Sequence, residues 1–74
     1  MYRASITCTY EHYTAVTGAI AEESWCYPPW NEDFHDLEII VGHYDAIWEE
    51  QLPAFLSAVA TNMPAIERFE IFKY

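Results

Sequence analysis

Apolar and polar residues alternate over residues 2–10: Tyr2, Ala4, Ile6, Cys8 and Tyr10 share one side, and Arg3, Ser5, Thr7 and Thr9 the other. That period of two predicts a β-strand with one buried face. The pattern then changes. Between 45 and 63 the large apolar residues are Trp48, Leu52, Phe55, Leu56, Val59 and Met63, separated by steps of 4, 3, 1, 3 and 4. Such steps trace one helix face, with Asp45 placed to cap it and Glu49 and Glu50 near the positive end of the helix dipole. Asn62, Met63 and Pro64 read as the stop. Pro53 falls inside the pattern and predicts either a kink or a fresh start with proline in the first turn. Because the apolar phase survives across it, one long kinked helix over 45–63 is the expectation.

The remaining segments supply a sheet for that helix to cover. Residues 37–44 form a continuous apolar run that predicts a buried strand, and 66–73 a strand with charges on both faces, suited to a sheet edge. Residues 25–30 read as a short strand broken by Pro28 and Pro29, with 31–36 as a loop. Residues 11–24 hold two signals. Tyr13, Val16 and Ile20 step at helical spacing, whereas Thr14, Val16, Thr17 and Gly18 suit a strand. A strand there needs a tight turn at Glu11 and His12, which lack the glycine or asparagine such turns use, so helix is the expectation. The order is then β-α-β-β-α-β, a single two-layer α+β domain over 1–74 in the ferredoxin-like arrangement. The alternative is an antiparallel sheet of three or four strands under a single helix.

Charge changes the picture more than composition does. Twelve acids oppose three bases, a formal net charge of −9. Arg3, Arg68 and Lys73 are the only Lys or Arg residues, so 4–67 is a run of 64 without one, and every acid except Glu70 lies in it. Such a surface repels itself, which costs stability, and it repels phosphate. Nucleic acid and anionic membrane are therefore excluded as direct partners. No apolar run approaches the roughly 18 residues of a membrane span. No apolar segment follows Arg3, so no signal peptide is expected, and a reducing cytoplasm with Cys8 and Cys26 as free thiols is the simplest reading.

Candidate chemistry narrows further. Cys8, Cys26, His12, His35 and His43 show no metal-ligand spacing, so neither a metal nor another cofactor is expected. A two-layer domain of this size has little depth for a catalytic pocket, and its few cations offer no clamp for phosphate or an oxyanion. An enzyme is not expected. What remains is a protein-binding surface. Glu32, Asp33, Asp36 and Glu38 flank the aromatics Trp30 and Phe34, while Asp45, Glu49 and Glu50 open the main helix. Carboxylates steer toward a basic partner and an aromatic such as Trp30 anchors it. Trp25, Tyr27 and Trp30 are the aromatics most suited to exposure; equally they could close the open end of a small core, above all Trp25. The acids could also be a dispersed, solvated surface, since the start of the main helix and the 30–36 loop fall at opposite ends of a ferredoxin-like sheet.

In small size, strong acidity, abundant aromatics and lack of a cofactor motif, the chain resembles small phage-encoded inhibitors, the class of anti-CRISPR proteins and DNA mimics. The likeness spans the whole chain as composition and includes no motif, so no individual residue is carried over. It implies a stoichiometric inhibitor, acting in the host cytoplasm, whose carboxylates stand in for phosphates on a basic, nucleic-acid-binding surface such as a CRISPR effector complex. The alternative is a homodimeric ferredoxin-like domain with a small-molecule or enzymatic role, paired through Tyr2, Ile66, Phe72 and Tyr74.

Overall fold

The computed structural model describes residues 1–35 and 38–74. Its elements are β1 (Tyr2–Thr9), α1 (Tyr10–Ser24), β2 (Asn31–Phe34), β3 (Ile39–Ile47), α2 (Leu52–Thr61) and β4 (Arg68–Lys73), with 3-10 turns at Glu49–Gln51 and Met63–Ala65. The four strands form one open antiparallel sheet in the order β2-β3-β1-β4. Both helices lie on one face of it. The domain is α+β, and its four-stranded antiparallel sheet is the one the alternative reading named, with two α-helices instead of one.

The alternation of β1 is realised as burial. Ala4, Ile6 and Cys8 are 4%, 0% and 0% exposed, while Arg3, Ser5 and Thr7 face the other way. The core is built where Ala4 and Ile6 meet Val16 and Ile20 of α1, Phe55, Ala58 and Val59 of α2, and Tyr44 and Ile47 of β3. Tyr44 meets Phe55 edge-on, with ring centroids 5.1 Å apart. Residues 11–24 are helical, as the spacing of Tyr13, Val16 and Ile20 predicts. The poor helix formers are accommodated by back-bonding: Thr17 Oγ1 donates to the Tyr13 carbonyl at 2.9 Å and Ser24 Oγ to that of Ile20 at 2.5 Å.

The long kinked helix over 45–63 is not formed. Asp45, Ala46 and Ile47 continue β3, where Ile47 pairs with Tyr2, and Trp48 is extended with φ −71° and ψ 152°. The chain turns through Glu49–Gln51 and α2 starts afresh at Leu52, with Pro53 in its first turn. Proline explains the outcome. In a helix interior its ring would clash with the carbonyl four residues back and one hydrogen bond would be lost, whereas the first turn incurs neither cost. The buried face is correspondingly narrower: Phe55, Ala58 and Val59 are buried, but Trp48, Leu56 and Met63 are 54%, 40% and 45% exposed. The stop at Asn62 holds, since Asn62 caps α2 and its N–H donates to the Ala58 carbonyl.

Two further corrections concern the middle of the chain. Residues 25–29 form no strand, since Pro28 and Pro29 remove two N–H donors. The strand lies instead at Asn31–Phe34, inside the expected loop, and pairs with His43, Gly42, Val41 and Ile40. All four of its side chains are exposed, so no alternation marked it. Leu37, expected to begin the second apolar strand, lies outside the described residues, and β3 runs three residues past the expected end at 44.

Candidate functional site

At one end of the sheet the C-terminus of α1, the β3 end and the turn before α2 come together. Glu22 and Glu23 close α1, and Trp25 leaves it in the left-handed conformation, φ 57° and ψ 23°, with its N–H on the Ala21 carbonyl at 3.0 Å. Gln51 holds the junction. Its Oε1 accepts from the Trp48 N–H at 3.0 Å, and its Nε2 donates to the Trp25 carbonyl at 3.2 Å. The segment after α1 is thereby tied to the start of α2, and three aromatics are left outward: Trp25, Tyr27 and Trp30 are 86%, 86% and 71% exposed. Trp25 does not close the core.

Beside them is a cavity of about 300 Å³ walled by Tyr27, Pro28, Trp30, Tyr44, Asp45 and Ile47. Trp30, Tyr44 and Asp45 also border a wider recess of about 560 Å³ on the uncovered sheet face, which reaches Ser5, His43 and Phe72. Asp45 is oriented from behind: Arg3 Nε lies 2.9 Å from its Oδ1, the Arg3 guanidinium stacks 4.3 Å from the Tyr74 ring centre, and the Tyr74 hydroxyl donates to the Asp45 carbonyl at 2.8 Å.

The predicted site residues divide. Trp30, Asp45, Glu49 and Glu50 fall at this end, because β3 delivers Asp45 and the turn carries the two glutamates. Glu32 and Asp33 lie on opposite faces of β2, as neighbours in a strand must. Asp33 Oδ2 is 2.8 Å from His43 Nε2 on the uncovered face. Glu38 sits at the far end, where its carbonyl accepts from the Tyr10 N–H at 2.6 Å, and Asp36 lies outside the described residues. Of the residues named for a dimer seam, Ile66 is 8% exposed and Tyr2 packs against the core, which leaves Phe72 and Tyr74 on the surface.

The three cations are all occupied within the chain. Arg3 pairs with Asp45, Arg68 Nε lies 3.0 Å from Glu70, and Lys73 sits 5.9 Å from the ring centre of Tyr2. None stands near Glu22, Glu23, Glu49 or Glu50 in an ion pair among the described residues. The titratable core is different in kind. Among the described residues, the buried hydroxyls of Tyr13 and Tyr44 meet no hydrogen-bond partner of good geometry. Burial, first, raises both phenols well above their ordinary range, and the neighbouring Glu32 carboxylate adds to the effect on Tyr13. Burial also raises the Cys8 thiol, with Glu67 contributing less. Cys8 and Cys26 are both free and buried.

Among the described residues no three His, Cys, Asp or Glu side chains gather to hold a metal ion, and no helix is long and apolar enough to cross a membrane. Comparison with protein-family models, curated proteins and solved structures finds no match to this chain. Function must therefore be argued from the site itself. Gln51, Arg3 and Tyr44 were not singled out as site residues in the sequence, and Tyr74 was named only for a dimer seam, because each acts through a contact made only in the fold.

Proposed function

We propose that the domain is a non-enzymatic binding module that docks its acidic, aromatic end on a Lys/Arg-rich surface of a partner, of the kind that handles nucleic acid, and blocks it. The observation that carries the reading is the coincidence at one end of Trp25, Tyr27 and Trp30, all exposed, with Glu22, Glu23, Glu49 and Glu50, none of which has a cation partner among the described residues. Exposed aromatics supply anchoring area at low entropic cost, and unpaired carboxylates supply steering. The strand succession and the order β2-β3-β1-β4 support reading the scaffold as ferredoxin-like, a frame that leaves this end free for loops. The resemblance to small phage-encoded inhibitors points the same way.

The test is binding to a basic nucleic-acid-binding complex, measured with and without its own DNA or RNA, across a salt series. Glu49→Lys with Glu50→Lys should weaken the complex at least tenfold while leaving the melting temperature within a few degrees. The wild-type interaction should fade as the Debye length shrinks from about 10 Å at 0.1 M to about 3 Å at 1 M salt. Binding that neither nucleic acid nor the double reversal disturbs would overturn the reading.

A further inference from the structure

We propose that β4 pairs with the β4 of a second copy of this chain, so that two four-stranded sheets join edge to edge. The inference goes beyond the docking surface, since Trp30 leads into β2 at the opposite edge of the sheet. An open sheet has two edges, and each presents a row of backbone N–H and C=O groups that another strand can meet. On β4 that row can be assigned. The Tyr74 N–H donates to the Met1 carbonyl at 3.0 Å, and the pairing runs without a register shift from Tyr2 with Lys73 to Thr7 with Arg68. Antiparallel bonds alternate, so Arg68, Glu70 and Phe72 bond inward to β1, while Phe69, Ile71 and Lys73 turn their backbone groups outward. Among the described residues no further strand lies beyond them.

Charge decides between the two edges. β2 carries Glu32 and Asp33 with no Lys or Arg, so a second β2 would set acid against acid. Residues 67–73 carry Glu67 and Glu70 against Arg68 and Lys73, and are neutral in a chain of net charge −9. A copy can therefore approach β4 without meeting a row of like charges. The devices that close an edge are also lacking there. β4 holds no proline, its pairing with β1 is unbroken, and the ammonium of Lys73 is turned back to 5.9 Å from the Tyr2 ring centre.

The sequence of β4 sets the register as well. With a two-fold axis at Phe69, that residue faces its own counterpart and each Arg68 stands directly opposite the copy's Glu70. Opposite charges so placed on antiparallel strands attract. Arg68 Nε and Glu70 Oε1 already lie 3.0 Å apart within one strand, with side chains 71% and 55% exposed on the uncovered face. The two new pairs extend that contact into a square of alternating charges instead of replacing it. An axis at Glu70 would oppose two glutamates. A seam one short strand long falls among small, transient interfaces of less than about 1,200 Å², for which affinity of micromolar order or weaker is expected.

The experiment is sedimentation velocity of the full chain from about 10 µM to about 1 mM, where a monomer–dimer equilibrium should be seen. Arg68→Glu turns two attractions into two repulsions and should weaken the dimer by about tenfold or more. Arg68→Glu with Glu70→Arg should restore it to within about threefold of the wild type. Arg68→Glu with Glu11→Arg has the same net charge as that pair of changes but should stay weak, which separates the seam from overall repulsion. All of these positions are exposed, and circular dichroism verifies that each variant folds. A chain that stays monomeric at about 1 mM would overturn the proposal. So would a dimer that Arg68→Glu leaves intact, one that Glu70→Arg does not restore, or one that Glu11→Arg restores as well. The docking surface is read separately through Glu49→Lys and Glu50→Lys, neither of which lies on β4, so either reading can fail without the other.

Discussion

Trp25 is the residue whose replacement tests the backbone and the surface together. It is the only non-glycine with positive φ among the described residues, at 57°, and it occupies the position after a helix where glycine is the usual choice. An L side chain there costs roughly 1–2 kcal/mol. Glycine escapes that cost but gives up roughly 0.5–1 kcal/mol of extra chain entropy relative to alanine. Trp25→Gly should therefore be more stable than Trp25→Ala by about 0.5–1 kcal/mol, which for a domain of this size is about 2–8 °C in melting temperature. The ring is 86% exposed, and whatever little burial it provides is lost equally in both variants and cancels. Thermal melts by circular dichroism read the difference directly. An alanine variant as stable as the glycine one would refute the argument, because it would mean that position 25 does not hold a left-handed conformation in solution. The same pair carries a functional expectation: both should bind the basic partner more weakly than the wild type, the glycine variant despite its greater stability relative to alanine. A bulky tryptophan kept where glycine fits better is what a docking anchor on a strained turn looks like.

The two glycines make opposite predictions. Gly18 is exposed inside α1 with nothing within 4 Å of an added Cβ, so Gly18→Ala should stabilise the fold by about 0.5–1 kcal/mol, and a lower urea midpoint would contradict this. At Gly42 an added Cβ would sit 2.5 Å from the Tyr13 hydroxyl and 3.0 Å from Pro29 Cγ, so Gly42→Ala should destabilise by about 1–3 kcal/mol in the same assay. Burial raises the Tyr13 and Tyr44 phenols, so the folded state keeps those protons longer than the unfolded chain. Stability is then full below pH about 10 and falls as pH rises past it. Absorbance at alkaline pH should show two of the six tyrosines ionising only as the fold is lost; six that titrate together while the fold persists would count against their burial. Finally, the melting temperature should rise with added salt, since screening relieves repulsion among twelve acids opposed by only three Lys and Arg residues, and a flat response would show that repulsion to be negligible.

The strands that bury one face could be read from the sequence because burial and alternation are the same fact. Ala4, Ile6 and Cys8 in β1 and Ile40 and Tyr44 in β3 are buried and spaced by even steps. Helix α1 was legible for a related reason, through Tyr13, Val16 and Ile20. Where reading failed, the deciding interaction was non-local. The four exposed residues of β2 are a strand only because β3 lies beside them, and Asp45 to Ile47 are strand, not helix, because Tyr2 pairs with Ile47. Pro53 offered two outcomes, and the apolar phase favoured the wrong one. Trp48, Leu56 and Met63 matched a helix face that has nothing to pack against.

The site was half legible for the same reason. Trp30, Asp45, Glu49 and Glu50 were chosen as acids and an aromatic near turns, and the fold assembles them because the β3 end feeds the turn before α2 while Gln51 ties that turn to the Trp25 carbonyl. Glu38 is an acid in a loop by the same criterion, yet its loop joins β2 to β3 at the other end, beside Tyr10. Charge along the chain cannot distinguish these; only the strand order can. It also settles what the cations do. With Arg3 drawn to Asp45 and Tyr74, Arg68 to Glu70 and Lys73 to Tyr2, the positive charge is spent along β1 and β4. A partner that meets Trp25 and Trp30 meets them beside Glu22, Glu23, Glu49 and Glu50, and must bring its own cations to stay.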